Sequence, residues 1–498
     1  MKTRSLGARS LKARSLKALS ALILAALIPL SACGESSGAA NAPDAGDAPS
    51  TTAAEETTEE TEPEYPHLDT SAIDFGGKKL TFISPEWGAH KYMFTDELDG
   101  EAVNDAAYYR LSNTENALNI DIDYVWSTDS ECHNVVKKSV QAGDDAYQIV
   151  YTHCIYGISD YATAGALYNL YDLPYLDWNA PWWDYRMMQE FIIGTRMHYA
   201  SGDLLLQSSN GVLFNKRISD DYGFENHYEM VKSGRWVYDT FLAQASSVTV
   251  DINGDGVIDR NDQTGYTGDL TERLCDIPFF CGEHCTKMGE NGIELVFWSD
   301  KIVDIFNKTF AFFTDPNVCN GYYRSRYVGQ GFEEDLALYT MCGVGSIAGL
   351  REYDVDFGII PGPKYNEEQE EYYNHCWPCF VCVPTTITDP ELTGATLETF
   401  CYESAEIQNA YNEILIRGKS TRDVESLEMI DLMNAGMVCD IGASYLGFDS
   451  SFHKIFYCFY ELLPDKKDNI ASHYEKALKG VDKALTKLYD KIMEAENG

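Results

Sequence analysis

Positive charge is what this chain has least of. Its 498 residues carry 38 Lys and Arg against 78 Asp and Glu, a formal net charge of −40. Beyond the N-terminal segment no cluster of Lys or Arg interrupts that balance. Such a field repels nucleic acid and anionic lipid alike, which excludes nucleic acid as a partner. The His-Glu-x-x-His signature of zinc hydrolases is missing. The 14 Cys show none of the regular spacing of a small disulfide-stapled scaffold. From Gly34 to Pro66 there is no Lys or Arg at all, only Ala, Gly, Ser, Thr, Pro and acidic residues with one Asn and one Tyr. Low hydrophobicity with charge of one sign cannot offset the entropy of ordering, so residues 33–66 are expected to form an extended acidic tether.

The few basic residues that are grouped stand at the N-terminus. Lys2, Arg4, Arg9, Lys12, Arg14 and Lys17 precede an apolar run from Ala18 to Leu30 that only Ser20 breaks. A basic region, a short apolar stretch and small residues behind it make an export signal, too short for a membrane-spanning helix. The segment closes on Leu30-Ser31-Ala32-Cys33, which resembles the lipobox of bacterial lipoproteins. That resemblance implies removal of residues 1–32, a lipid on Cys33, and a protein anchored on the outer face of the cell membrane. Excising six basic residues and no acidic one moves the net charge from −40 to −46. With Cys33 carrying a lipid, an odd number of Cys remains, thirteen, so full pairing is not expected.

The remainder, 67–498, is expected to be ordered. With 45% hydrophobic and 13% aromatic residues it has material for a large core, and its length exceeds one ordinary domain. Lys79–Ser84 reads as a strand, Ala102–Ala117 as a helix, Asn119–Val125 as an alternating strand, Val135–Val140 as helix and Tyr147–Tyr151 as strand. This alternation predicts an α/β fold with a parallel sheet. Met341–Ile347 and Asp356–Ile360 repeat the rhythm, and Asn469–Met493 reads as a long amphipathic helix. Ligands of such sheets sit beyond the C-terminal strand ends, which selects Ser84–Trp87, Thr152-His153 and the Gly345-Ser346 turn. Gly343 to Gly349 has the spacing GxGxxxG rather than that of a dinucleotide fingerprint, so a tight turn offering backbone N–H groups is the reading taken.

One stretch carries a metal signal. Asp251, Asn253, Asp255, Asp259 and Asp262 fall at positions one, three, five, nine and twelve of an EF-type loop, with Gly256 at six and the Val257 carbonyl at seven. Hard oxygen donors at this spacing predict a structural Ca²⁺. Asp262 at position twelve, in place of Glu, is similar to dockerin-type loops.

Three further passages bear on family. They are Asn210-Gly211-Val212-Leu213-Phe214-Asn215-Lys216-Arg217, then Asp221-Tyr222-Gly223-Phe224, then Ser233-Gly234-Arg235-Trp236-Val237-Tyr238-Asp239-Thr240-Phe241. Together they resemble the family 1 extracellular solute-binding proteins of ABC importers. Tyr171–Asp177 leading to Pro181-Trp182-Trp183, Asp356–Pro363 and Val383-Pro384-Thr385-Thr386 add to the likeness, which runs from about 75 to 490. It implies a two-lobed α/β fold of the periplasmic-binding-protein type, class II, with crossover hinge strands. It further implies capture of a sugar or oligosaccharide for ABC permease subunits, and no enzymatic activity.

Eight Trp and 33 Tyr suit that role, since a flat ring covers the apolar face of a sugar while carboxylates and amides meet its hydroxyls. The candidate ligand contacts are Trp87, Tyr151, Trp183, Asp203, Arg351 and Trp377, with Trp126 and Trp182 behind them; Trp236 and Trp298 are assigned to packing. Cys376-Trp377-Pro378-Cys379 resembles a thioredoxin-type pair, but it leads into a strand rather than a helix, so redox catalysis is not expected. Cys275, Cys281, His284 and Cys285 lack the repeated pair spacing of a zinc site. The competing readings are a surface glycan-active enzyme with paired carboxylates, and a glycan-binding adhesin or sensor subunit.

Overall fold

The computed structural model describes residues 65–86, 92–154, 157–207, 209–268, 272–316, 318–319, 330–416 and 424–497. The expected signal segment, the lipidation site Cys33 and nearly all of the tether lie outside them, as does Trp87. The first sheet opens with three strands in the expected places: β1 (Lys78–Pro85), β2 (Ile120–Ser127) and β3 (Ile149–His153). Helices α1 (Ala102–Leu118) and α2 (Asp129–Ala142) join them. Each helix stops on a left-handed residue, Asn119 at φ 50° and Gly143 at φ 68°, whose N–H returns to the last turn. β1 pairs in parallel with both β2 and β3, as right-handed crossovers require. All five residues of β3 are buried, the mark of a strand covered on both faces.

The chain then leaves this sheet. β4 (Asn210–Asn215) and β5 (Thr264–Tyr266) begin a second one. After a hairpin of β6 (Thr286–Gly289) and β7 (Gly292–Leu295), β8 (Ala337–Gly343) and β9 (Phe357–Ile360) complete it in the order β5-β8-β4-β9. β10 (Asn374–His375) leads to β11 (Cys379–Cys382), which returns to the first sheet, and β12 (Met437–Val438) pairs in parallel with β10. The first sheet therefore reads β11-β3-β1-β2. In each sheet one strand runs against its neighbours: β11 is antiparallel to β3, and β4 to both β8 and β9. These are the strands by which the chain arrives from the other lobe.

Leu80, Phe82, Tyr151, Val381 and Phe400 pack on one face of the first sheet. On its other face Ile83 and Val150 belong to a larger core that runs on through Phe214, Trp236, Phe241 and Tyr339. The two lobes thus share a continuous interior. Trp236 is fully buried, and its indole N–H donates to the Pro361 carbonyl at 2.9 Å, so its packing role is satisfied at both ends. Trp298 packs differently from expectation. It is 39% exposed and lies flat on Tyr474 of the C-terminal helix Ile470–Asn497, with ring centroids 4.7 Å apart. No helix among the described residues is long and apolar enough to cross a membrane.

Candidate functional site

Segments of both lobes meet around an open cavity of about 290 Å³. The first lobe supplies Pro181 to Asp184 and Ser201 to Asp203; the second supplies Val344, Ile430, Asn434 and Met437. The helix Ala405–Ile416, which packs on α1 and on the 3₁₀ helix Val344–Glu352, adds Gln408, Tyr411 and Asn412. Among the described residues, no Lys or Arg lines it.

The two runs of the first lobe hold each other like a short antiparallel pair. Trp183 bridges Gly202, the Asp203 N–H donates to the Trp182 carbonyl at 2.9 Å, and the Asp184 N–H to that of Ser201 at 2.9 Å. Gly202 is required there, because a Cβ would stand 2.3 Å from the Trp182 carbonyl. Behind them Glu398, on the helix Pro390–Tyr402, accepts from both indoles, at 3.1 Å from Trp182 and 2.8 Å from Trp183. Burial pushes its carboxyl up to about 7 against the pull of those donors. The indoles are therefore fixed in rotation, 6% and 5% exposed, and both residues line the cavity.

The same first-lobe runs carry two carboxylates, Asp184 and Asp203. Burial, then the neighbouring Asp184, push the Asp203 carboxyl up to about 7; burial also raises Asp184, although the Met187 amide donates to it at 3.1 Å. Gln408 donates to the Asp203 and Leu205 carbonyls, both at 2.8 Å, and so positions the Asp203 loop. Burial pushes the Tyr411 phenol up to about 12. Indoles beside carboxylates and amides are suited to a polyhydroxylated ring.

Of the expected ligand contacts, Trp183 and Asp203 line this cavity, and so does Trp182. Tyr151 needs correction. It is fully buried in the first-lobe core beside Phe82 and Phe94, its hydroxyl donating to the Leu204 carbonyl at 3.4 Å. A strand covered on both faces leaves its ring nowhere else to go. Trp377 does not line the cavity either; it packs edge-on to Phe456 and near Tyr457. Trp126 packs beside Phe94 and Tyr124. Arg351 sits on the helix Val344–Glu352, and its side chain is outside the described residues. Asp184 and Glu398 were missed. Asp184 follows directly on Pro-Trp-Trp and could have been noticed, whereas Glu398 stands 216 residues from Trp182 and gives no local signal.

The loop at 251–262 forms a tight turn, with Gly254 at φ 74° and Gly256 at φ 81°. Its acidic side chains accept the loop's own amides. Asp251 takes those of Gly254 and Gly256 at 2.6 and 2.8 Å, Asp255 that of Val257 at 2.8 Å, and Asp262 those of Ile252 and Asp259, both at 2.9 Å. These carboxylates keep further lone pairs, so the donor set fits a hard cation. Among the described residues no group of three His, Cys, Asp or Glu is gathered at metal-holding distance. All thirteen described Cys, the Cys275–Cys285 group included, are buried.

No family model matches the chain, and no curated protein matches it. Solved structures do. The galacto-N-biose/lacto-N-biose I-binding protein of the ABC transporter from Bifidobacterium longum, in complex with lacto-N-biose, is similar with a TM-score of 0.55 at 10% identity, over 83% of this chain and 98% of that one. UgpB from Mycobacterium tuberculosis, in complex with glycerophosphocholine, gives 0.54 at 11% identity, over 83% and 99%. The maltose/maltodextrin-binding domain MalE from Bdellovibrio bacteriovorus, bound to maltotriose, gives 0.51 at 13% identity, over 84% and 100%. The crossed strands, the two sheets and these likenesses agree, and the chain has the two-lobed α/β fold of periplasmic-binding-protein type.

Proposed function

We propose that this protein is an extracytoplasmic solute-binding protein that captures a sugar or oligosaccharide and hands it to the permease of an ABC importer, without enzymatic activity. The observation that carries the reading is the cavity between lobes, lined by two Trp locked on Glu398 together with Asp184 and Asp203. Closing the lobes would bury a solute there. The matching solved structures whose names include a bound saccharide, such as maltotriose and lacto-N-biose, favour carbohydrate over other small molecules. A lipid on Cys33 would hold the chain at the outer face of the membrane, with residues 33–66 as tether. A Ca²⁺ held by Asp251, Asn253, Asp255, the Val257 carbonyl, Asp259 and Asp262 would pin the loop that follows the Trp236 region.

The test is a thermal-shift screen of the chain from residue 33 over mono- and oligosaccharides, amino acids and peptides. A ligand at 100 times its Kd adds about 2.7 kcal/mol, a readily measured shift. Saccharide hits support the reading, and a screen answered only by amino acids or peptides defeats it. A second reading rests on Asp184 and Asp203, since paired carboxylates are also the equipment of glycoside hydrolysis. Product formation from a bound oligosaccharide would favour it over simple capture.

A further inference from the structure

Behind the second-lobe wall of the cavity two thiols touch. Cys376 and Cys439 each follow the last paired residue of β10 and β12, where His375 is in register with Val438. The Cys376 N–H extends that ladder, donating to the Val438 carbonyl at 3.2 Å. Neighbouring strands stand about 4.8 Å apart, inside the Cα separation that a disulfide spans. The two Sγ atoms are already 3.7 Å from each other, and each residue is 1% exposed. Met437 of β12, two residues ahead of Cys439, lines the cavity, so the pair lies close behind it.

We propose that Cys376 and Cys439 are a reversible disulfide site, a clasp that ties the strand entering the first-lobe crossover to the segment leaving the cavity wall. With a hydroperoxide as oxidant the chemistry balances. One thiol attacks the peroxide oxygen and becomes a sulfenic acid as hydroxide or alkoxide leaves and takes its proton. The second sulfur then attacks the first, the S–S bond forms, and water leaves. Two thiols lose two electrons and two protons, and the peroxide is reduced to water and, for an alkyl peroxide, alcohol. β10 and β12 hold only two residues each, so this bond would reinforce the weakest ladder beside the cavity. Cys376 also bridges Ser209, just ahead of β4, so the clasp sits where the chain passes between lobes.

The experiment treats the full chain, first reduced, with hydrogen peroxide, then alkylates it in denaturant and maps its peptides without reductant. A cross-linked peptide joining Cys376 to Cys439 is expected, with the loss of two titratable thiols. Its melting temperature should rise by several degrees and fall back with dithiothreitol. Cys439→Ser should show neither the cross-link nor the rise. Recovery of both residues alkylated as free thiols after peroxide, or a cross-link of either to another Cys, overturns the proposal. The peptide map needs only the parent protein, so a variant that fails to fold leaves the test intact.

Discussion

Glu398 accepts hydrogen bonds from the indoles of Trp182 and Trp183 at once, at 3.1 and 2.8 Å, and so sets the angle of the aromatic wall that faces the cavity. Glu398→Ala would leave two buried N–H groups without partners, a loss of about 2–4 kcal/mol. Chemical denaturation should show that drop.

Protonation of the same carboxyl gives a pH signature. Its value is raised from 4.5 to about 7, so the folded chain holds the proton more tightly than the unfolded one. That contribution is fully present below pH 4.5 and is lost as pH rises toward 7. Glu398→Gln should remove it. The difference in stability between parent and variant, followed from pH 4 to 8, is expected to change across that window and to be flat above it.

Trp183→Ala is expected to lower both melting temperature and affinity, because the ring is nearly buried and also lines the cavity. A truncated aromatic anchor costs about 2 kcal/mol, roughly thirtyfold in affinity. Asp203→Asn should change affinity with little loss of stability, since burial of its charge is already unfavourable. Isothermal titration and melting on the same samples separate the two effects.

The Arg186 guanidinium of the first lobe reaches the Ala435 carbonyl and Glu371 of the second, both at 3.0 Å. Arg186 and Glu371 are each about half exposed, so the ion pair is worth less than about 1 kcal/mol. Arg186→Ala should therefore weaken ligand binding by no more than about fivefold, while ligand still shrinks the radius of gyration in solution scattering.

Chelation is expected to lower the melting temperature if the loop at 251–262 holds Ca²⁺, and Asp255→Ala should abolish that sensitivity. A melting curve unchanged by chelator would reduce the loop to a turn capped by its own carboxylates, as its hydrogen bonds already permit.

What the sequence by itself determined is local. Apolar alternation placed β1, β2 and β3 within two residues of their ends, because strand and helix periods act over a few residues. The Pro-Trp-Trp passage marked one wall of the cavity for the same reason: the residues that matter are adjacent. Tertiary structure decided the rest. Tyr151 looked like a strand-end contact until the sheet was covered on both faces, and Trp377 was claimed by Phe456. Glu398, Val344 and Asn434 reach the site from distant parts of the chain. The contact of Cys376 with Cys439 depends on the register of β10 and β12, which no local pattern encodes. Burial and long-range register are properties of the packed chain, and they chose which of many aromatics and acids line the cavity.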